Sequence, residues 1–191
     1  MDKSDRLLMI VDPQIDFIDG ALAVTGAQTA IEGLVEYIGS HRDYALVIIT
    51  ADRHPSDHCS FKDNGGMWPA HCTGGSDGAR IKPELLAAVE AYPADTLIMG
   101  KGRHSDQEEY SVFSRKENCD IISSLVDKLG ITGIDICGLA GDFCVLSTLA
   151  DGIELFGHAF FRVLLPFTPS IDGGRRLEEF ILSNNIRCVR L

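Results

Sequence analysis

The chain predicts an α/β domain built on a parallel sheet, and three observations carry that expectation. Short apolar segments of strand length recur from one end to the other. They alternate with segments of helical spacing, the rhythm of strand, crossover helix and parallel strand. Most of the short segments are apolar on both faces, as strands in a sheet covered from both sides must be.

The elements follow in order. Leu7–Val11 is an unbroken apolar run and reads as a buried strand, with helical spacing next over residues 27–41. Ala45–Thr50 is the second strand and residues 83–91 the next helical segment; Thr96–Gly100 is the third strand, and residues 119–129 again carry helical spacing. In Ile134–Leu139 the β-branched Ile134 and Ile136 favour a strand that runs into a glycine-bearing turn at Gly138 and Gly141. Helical spacing resumes over 143–151, just after Asp142, so that Cys144 falls in the first turn of a helix. Ala159–Val163, a helical segment at 173–184 and Ile186–Leu191 complete the alternation.

Composition narrows the function classes. A chain of 191 residues that is 45% hydrophobic is enough for one sizeable core and short for two, and with no linker or repeat it predicts a single domain over 1–191. A formal charge of −11 with the acidic residues scattered argues against nucleic-acid binding, which needs a basic patch. No apolar run approaches the roughly 18 residues that span a bilayer. Six cysteines without a C-x-x-C pair, in a chain opening Met-Asp-Lys-Ser-Asp-Arg rather than on a signal peptide, predict reduced thiols and a cytoplasmic location. A small-molecule substrate is the remaining partner class, with self-association into a homo-oligomer left open.

Chemistry is expected in the irregular segments 12–26, 51–82 and 101–118, because each follows a strand and so lies outside the carboxyl edge of the sheet. Asp12 ends a buried strand, where a carboxylate is costly unless it has a partner or a task; Asp16 beside it reads as an ordinary turn residue. Asp52, His54, His58 and His71 place one carboxylate and three imidazoles within twenty residues, a donor set suited to Zn²⁺, Fe²⁺ or Mn²⁺. Cys72 offers a thiolate but ranks below them. Trp68 lies in the same loop, where a flat substrate can stack on it. Lys101, between Gly100 and Gly102, can bring an ammonium beside Asp12 and Cys144. Cys144 in a first helical turn has free N–H groups near a thiol, which favours the thiolate; alone it reads equally well as a small buried apolar residue. His41, His104 and His158 stand apart and read as structural or surface residues.

Together these residues resemble the nicotinamidase/pyrazinamidase branch of the isochorismatase-like cysteine hydrolases. The resemblance rests on Val11-Asp12-x-Gln-x-Asp-Phe17, Asp52-x-His54-Pro-x-x-His58-x-Ser-Phe61, Trp68-Pro-x-His71-Cys72, Lys101-Gly102 with Tyr110-Ser-x-Phe113, and Gly138-Leu-Ala140-x-Asp142-x-Cys144-Val. It implies a three-layer α/β/α fold with a mostly parallel six-stranded sheet. It implies Asp12, Lys101 and Cys144 as a catalytic triad, backbone N–H groups of Ala140 and Cys144 as an oxyanion hole, and a cis Leu139–Ala140 peptide. Phe17 and Trp68 would sandwich a pyridine ring with Tyr110 nearby. Asp52, His54 and His71 would hold one divalent ion, zinc first with iron or manganese as alternatives, and His58 matches a less uniform fourth ligand position. The ion would also bind the pyridine nitrogen. The implied reaction is deamidation of nicotinamide to nicotinate and ammonia through a Cys thioester, in pyridine-nucleotide salvage, with pyrazinamide as a second substrate. The alternatives are hydrolysis of another small amide, such as an N-carbamoyl or ureido compound, and a non-catalytic metal-binding module. Arg53 and the turn Gly-Asp-Phe depart from the family pattern, and the acidic segment 103–109 adds a feature at the entrance that the resemblance does not account for.

Overall fold

The computed structural model describes residues 5–190. Six strands form one sheet: β1 (Arg6–Val11), β2 (Tyr44–Asp52), β3 (Asp95–Lys101), β4 (Gly133–Gly138), β5 (Phe161–Leu164) and β6 (Arg187–Val189). The principal helices are α1 (Ile15–Ile18), α2 (Ala27–Ser40), α3 (Pro83–Glu90), α4 (Lys116–Leu129), α5 (Leu146–Phe156) and α6 (Arg175–Ser183). The strand order is β3-β2-β1-β4-β5-β6 and every pairing is parallel, so the expected mostly parallel sheet is parallel throughout.

Two apolar clusters make the three layers. Leu8 and Ile10 of β1 point with Val47 and Ile49 of β2 towards Ile31, Leu34 and Ile38 of α2 and Leu85 and Val89 of α3. The alternate residues Leu7, Met9, Val11, Leu46 and Ile48 face Ile122 and Val126 of α4, Leu149 of α5, and Leu177 and Ile181 of α6. The period-2 alternation of a strand therefore sorts one unbroken apolar run into two cores. Each such side chain taken fully out of water stabilises the fold by roughly 1.5–3 kcal/mol before conformational entropy is charged against it.

The expected elements are all present, with several boundaries shifted and one short element added. A short helix, α1, interrupts the loop expected at 12–26. The strand expected at 159–163 starts at Phe161, because His158–Phe160 is a 3₁₀ turn. The helix expected at 143–151 runs from Leu146 to Phe156 and is preceded by a π-helical turn, Gly141–Val145, which contains Cys144. Single π turns of this kind occur frequently at functional sites. Leu191, the last residue of the sixth expected strand, lies outside the described residues.

One charged cluster sits at the amino-terminal edge of the sheet, far from the loops expected to carry chemistry. Asp135 of β4 is fully buried and takes charge-assisted hydrogen bonds from Arg6 (Nε, 3.0 Å) and Arg162 (Nε, 2.8 Å) and one from the Tyr44 hydroxyl (2.7 Å). Burial by itself pushes this carboxyl up, but the donors of Arg162, Arg6 and Tyr44 outweigh it and hold the group below the usual carboxylate range. A depressed folded-state value stabilises the fold above the unfolded-state value near 4, and that contribution disappears as pH falls below it. Asp135→Asn is therefore expected to lower stability by about 2 kcal/mol at neutral pH, less than for a fully buried pair because Arg6 and Arg162 are only part-buried. In thermal melts the gap between wild type and variant should narrow below about pH 4; a gap independent of pH would contradict the assignment.

Candidate active site

The strand order places the site. From β1 the chain builds outwards through β2 to β3, then crosses to β4 on the other flank of β1. Neighbouring loops at the carboxyl ends of β1 and β4 thus leave the sheet towards opposite faces and open a crevice between them. Register does the rest. Asp52, the last residue of β2, is the partner of Lys101, the last residue of β3, and Val11 of β1 is the partner of Gly138 of β4. Asp12 and the turn to Cys144 follow directly. A Cβ at Gly138 would lie 2.1 Å from the Val11 carbonyl oxygen, so only glycine lets the two strand ends approach this closely.

Asp12, Lys101 and Cys144 meet there, as expected. Lys101 is 1% exposed, and its Nζ lies 2.8 Å from Asp12 Oδ2, 2.7 Å from Asp52 Oδ1 and 3.6 Å from Cys144 Sγ, with the Glu109 carbonyl at 3.3 Å. One oxygen each of Asp12 and Asp52 and the Cys144 sulfur fall within 4.8 Å of one another. Asp12 has a left-handed backbone (φ 47°); its N–H donates to the Thr50 carbonyl at 3.1 Å, and the Thr50 hydroxyl donates to its Oδ1 at 2.7 Å. Oδ2 is left facing the ammonium and the thiol.

The electrostatics follow from burial around one cation. Desolvation raises the Asp12 carboxyl, and Lys101 opposes that rise without cancelling it. Desolvation likewise pushes the Cys144 thiol well up, with Lys101 again the opposing influence. Burial alone would lower Lys101, but Asp12 and Asp52 outweigh it and the ammonium is retained far above its ordinary value. For Asp52 burial works upwards, while Lys101 and His54 prevail and keep it ionised. Lys101 and Asp52 thus balance each other, and Asp12 and Cys144 are left as an adjoining pair of groups that both favour the protonated form.

Beside the triad, ligand atoms of Asp52, His54 and His71 lie within 4.8 Å of one another. His54 Nδ1 meets the Gly102 carbonyl at 3.0 Å and His71 Nδ1 meets the Pro69 carbonyl at 2.8 Å. A carbonyl can only accept, so each ring carries its proton on Nδ1 and turns an Nε2 lone pair inwards. Burial holds His71 below the usual histidine range, which keeps it neutral; on His54 burial acts the same way, but Asp52 outweighs it and raises the ring. This is the donor set and second shell that a divalent ion needs. His58 packs on His54 with ring centroids 4.1 Å apart, yet its Nδ1 accepts from the Ser60 N–H (3.3 Å) and its Nε2 faces the Gln107 carbonyl (3.1 Å). It groups with His54 and Glu108 rather than with Asp52 and His71. Cys72, the lower-ranked thiol candidate, joins none of these ligand groups among the described residues; it is buried, and burial pushes its thiol strongly up.

A cleft opens over these groups. Its lining includes Cys144, Ala140, Asp52, His54 and His71 beneath the aromatic rings of Phe17, Trp68, Tyr110 and Phe143. Trp68 Nε1 donates to the Tyr110 hydroxyl at 3.0 Å and meets Phe143 edge-on at 4.9 Å between centroids. The Leu139–Ala140 peptide is cis, as the resemblance implied.

Several residues of the site escaped the reading of the sequence. Asp16 is no ordinary turn residue: its Oδ2 accepts the Cys72 N–H at 2.7 Å and its Oδ1 the Ala21 N–H at 3.1 Å, tying the loop of Phe17 to that of His71. Gln14 clamps Asp52 from behind, donating to its carbonyl (2.9 Å) and accepting from its N–H (2.7 Å). Asp142 is buried and accepts the N–H groups of Ile171 and Asp172 at 2.9 and 3.0 Å, which seats Ile171 in the cleft lining beside Glu108 and Leu22. Gln14 and Asp142 stand inside the quoted motifs and were legible as polar residues next to strand ends, and Phe143 belongs to the turn Gly-Asp-Phe that departs from the family pattern; Thr50 and Ile171 carried no comparable signal. Arg53 donates to the Ala79 carbonyl and its N–H to that of Lys101, and so braces the strand end instead of lining the cleft.

Residues 6–160 match the model of the family described as Isochorismatase domain. The nicotinamidase/pyrazinamidase of Mycobacterium tuberculosis is 35% identical over 173 residues, covering 87% of this chain and 88% of that protein. Among solved structures, the pyrazinamidase of Pyrococcus horikoshii in complex with zinc is 29% identical with a TM-score of 0.82, over 98% of this chain and 99% of that one. The L. infantum protein crystallised with nicotinate is 25% identical with a TM-score of 0.85, over 100% of this chain and 94% of the other.

Proposed function

The chain belongs to the isochorismatase domain family, in its nicotinamidase/pyrazinamidase branch, and from that premise we infer that it hydrolyses nicotinamide to nicotinate and ammonia. The observation that carries the reading is the buried meeting of Asp12, Lys101 and Cys144 at the foot of an aromatic cleft, next to an Asp-His-His ligand set.

The steps assign one task to each residue. Phe17, Trp68, Tyr110 and Phe143 hold a flat heteroaromatic ring with its carboxamide over Cys144. Asp12 takes the thiol proton as the sulfur bonds to the carboxamide carbon, and Lys101 supplies the positive charge that makes the thiolate accessible in a dry site. The developing oxyanion lies against the N–H groups of Ala140 and Cys144, worth about 10²–10³ in rate for one such donor elsewhere. The C–N bond breaks as Asp12 returns its proton to nitrogen, so ammonia departs and a thioester remains. Asp12, again a carboxylate, takes a proton from water; the water oxygen bonds to the acyl carbon, the C–S bond breaks and the thiolate regains the proton. Asp52, His54 and His71 would hold a divalent ion, zinc by analogy with the Pyrococcus protein, and that ion would act as a Lewis acid toward the ring nitrogen and toward water. His58 shares only His54 with this set, and reaching the ion would require it to give up its contact with the Gln107 carbonyl.

The metal ligand set also favours a pyridine amide over an N-carbamoyl or ureido compound, since a ring nitrogen gives the ion something to orient. Steady-state kinetics on nicotinamide, pyrazinamide and a ureido compound test this. Ammonia release from the two ring amides is expected, with kcat/KM for the ureido compound lower by about 10⁴-fold, the scale on which a site built around a polar partner rejects an analogue lacking it. Ureido hydrolysis at an equal rate would overturn the substrate assignment. Dialysis against a chelator is expected to abolish turnover, and adding back Zn²⁺, Mn²⁺ or Fe²⁺ singly to restore it; full activity in protein shown by elemental analysis to be metal-free would remove the ion from the reaction.

A further inference from the structure

Glu109 is a buried carboxylate, 2% exposed, with no part in the chemistry above. Its Oε2 accepts the N–H of Gly102 at 2.9 Å, and its other oxygen pairs with Arg115 at the start of α4. Gly102 turns its own carbonyl to His54 Nδ1 at 3.0 Å. It does so in a left-handed conformation (φ 67°), pressed against the ring so closely that a Cβ there would lie 2.5 Å from His54 Cε1. The main-chain carbonyl of Glu109 meanwhile accepts from Lys101 Nζ at 3.3 Å. One residue at the end of the acidic 103–109 segment therefore touches both neighbours at the strand end, and through them the ligand imidazole and the triad ammonium.

We propose that Glu109 is a positioning residue that fixes Gly102, and with it the tautomer and orientation of His54 and the reach of Lys101 into the triad. This rests on the reading of the site given above. The acidic segment thereby acquires a role: its carboxylate holds the joint between the two halves of the site from behind, on the side away from substrate. Outer partners that orient ligating histidines typically change metal affinity or activity by 10–100-fold when removed, so the effect is large enough to measure.

The full chain is stripped of metal, and Zn²⁺ affinity is measured by competition with a chelating indicator. The rate of Cys144 alkylation by iodoacetamide at one fixed pH is followed alongside by peptide mass spectrometry. Glu109→Ala is expected to weaken Zn²⁺ binding by about 10–100-fold and to slow alkylation. Glu109→Gln, whose amide oxygen still accepts from Gly102, should restore both to near wild type. Arg115→Met removes the ion pair and leaves the Gly102 bond, so it should lower the melting temperature and move neither readout. Gly102→Ala, which crowds His54 directly, should weaken Zn²⁺ binding as Glu109→Ala does and stands in for it if that variant fails to fold. Wild-type zinc affinity in Glu109→Ala would overturn the proposal, as would wild-type affinity in Gly102→Ala, an Arg115→Met defect equal to that of Glu109→Ala or a failure of Glu109→Gln to rescue. If wild-type protein left nicotinamide intact the functional reading would fall, while the zinc and thiol measurements would still decide the role of Glu109.

Discussion

Cys144→Ala is expected to lower nicotinamide turnover by at least about 10⁴-fold, with divalent-metal content unchanged. The size follows from what is removed. Without sulfur no thioester forms, and the remaining groups can only polarise the amide and bind the ring, which in comparable hydrolases leaves a small residue of the catalysed rate. Metal content separates this outcome from general damage, because Asp52, His54 and His71 close a ligand group that does not include the thiol. Cys144 is 4% exposed on a turn pinned by Gly141 N–H to Pro169 and by Asp142 to Ile171 and Asp172, so losing one sulfur should not unfold it. Cys144→Ser should fall almost as far: a hydroxyl buried beside Asp12 is a far weaker acid than a thiol, and one ammonium already shared with two carboxylates cannot make up the difference. Turnover within tenfold of wild type in either variant, at equal metal content, would mean that another group attacks the amide.

The fold and half of the site could be read from residues because both depend on local chemistry. Leu7–Val11 is apolar at every position, and only a strand sealed on two faces tolerates that, so the layers were legible before any contact was known. Asp12, Lys101 and Cys144 each sit where a strand gives way to a loop, and a parallel sheet gathers all such ends on one edge. What stayed hidden depends on register and on the far side of loops. That Asp52 and Lys101 are register partners, making Asp52 at once a ligand and a partner of the triad cation, is a property of pairing and not of either segment. Asp16 resembled any turn carboxylate because its partners, Cys72 and Ala21, are set by how two loops meet. His58 shows the converse: it belongs to the same cluster in the sequence and packs on His54, but its two ring nitrogens are engaged by Ser60 and Gln107, and no sequence pattern announces a carbonyl from residue 107.

Lys101→Met should be the most damaging substitution in the chain that removes no reacting atom. The variant fills nearly the same space and leaves Asp12 and Asp52, both buried, with oxygens within 4.8 Å of each other and no lysine ammonium between them. Stranding buried charge in this way costs about 3–5 kcal/mol. The protein responds by binding a proton. Burial already raises Asp12, and without the ammonium that opposes the rise its carboxyl moves further up. A carboxyl whose folded-state value exceeds its unfolded value near 4 destabilises the fold increasingly as pH climbs from one value to the other. The melting temperature of Lys101→Met should therefore fall relative to wild type between acid and neutral pH, the same direction as the gap expected for Asp135→Asn but caused by a raised carboxyl in the variant instead of a depressed one in the wild type. Catalysis suffers for the same reason. A protonated Asp12 cannot accept the thiol proton, and the Cys144 thiol loses the one neighbour that lowers it, so turnover should drop by about 10³-fold or more. Lys101→Arg keeps the charge but brings a planar fork into a space shaped for a point donor contacting Asp12, Asp52 and Glu109; it should recover the pH dependence of stability more fully than the rate. A Lys101→Met protein as active as wild type, or one whose melting profile merely parallels it, would show that the ammonium is a bystander and that Asp12 and Asp52 are balanced by another charge.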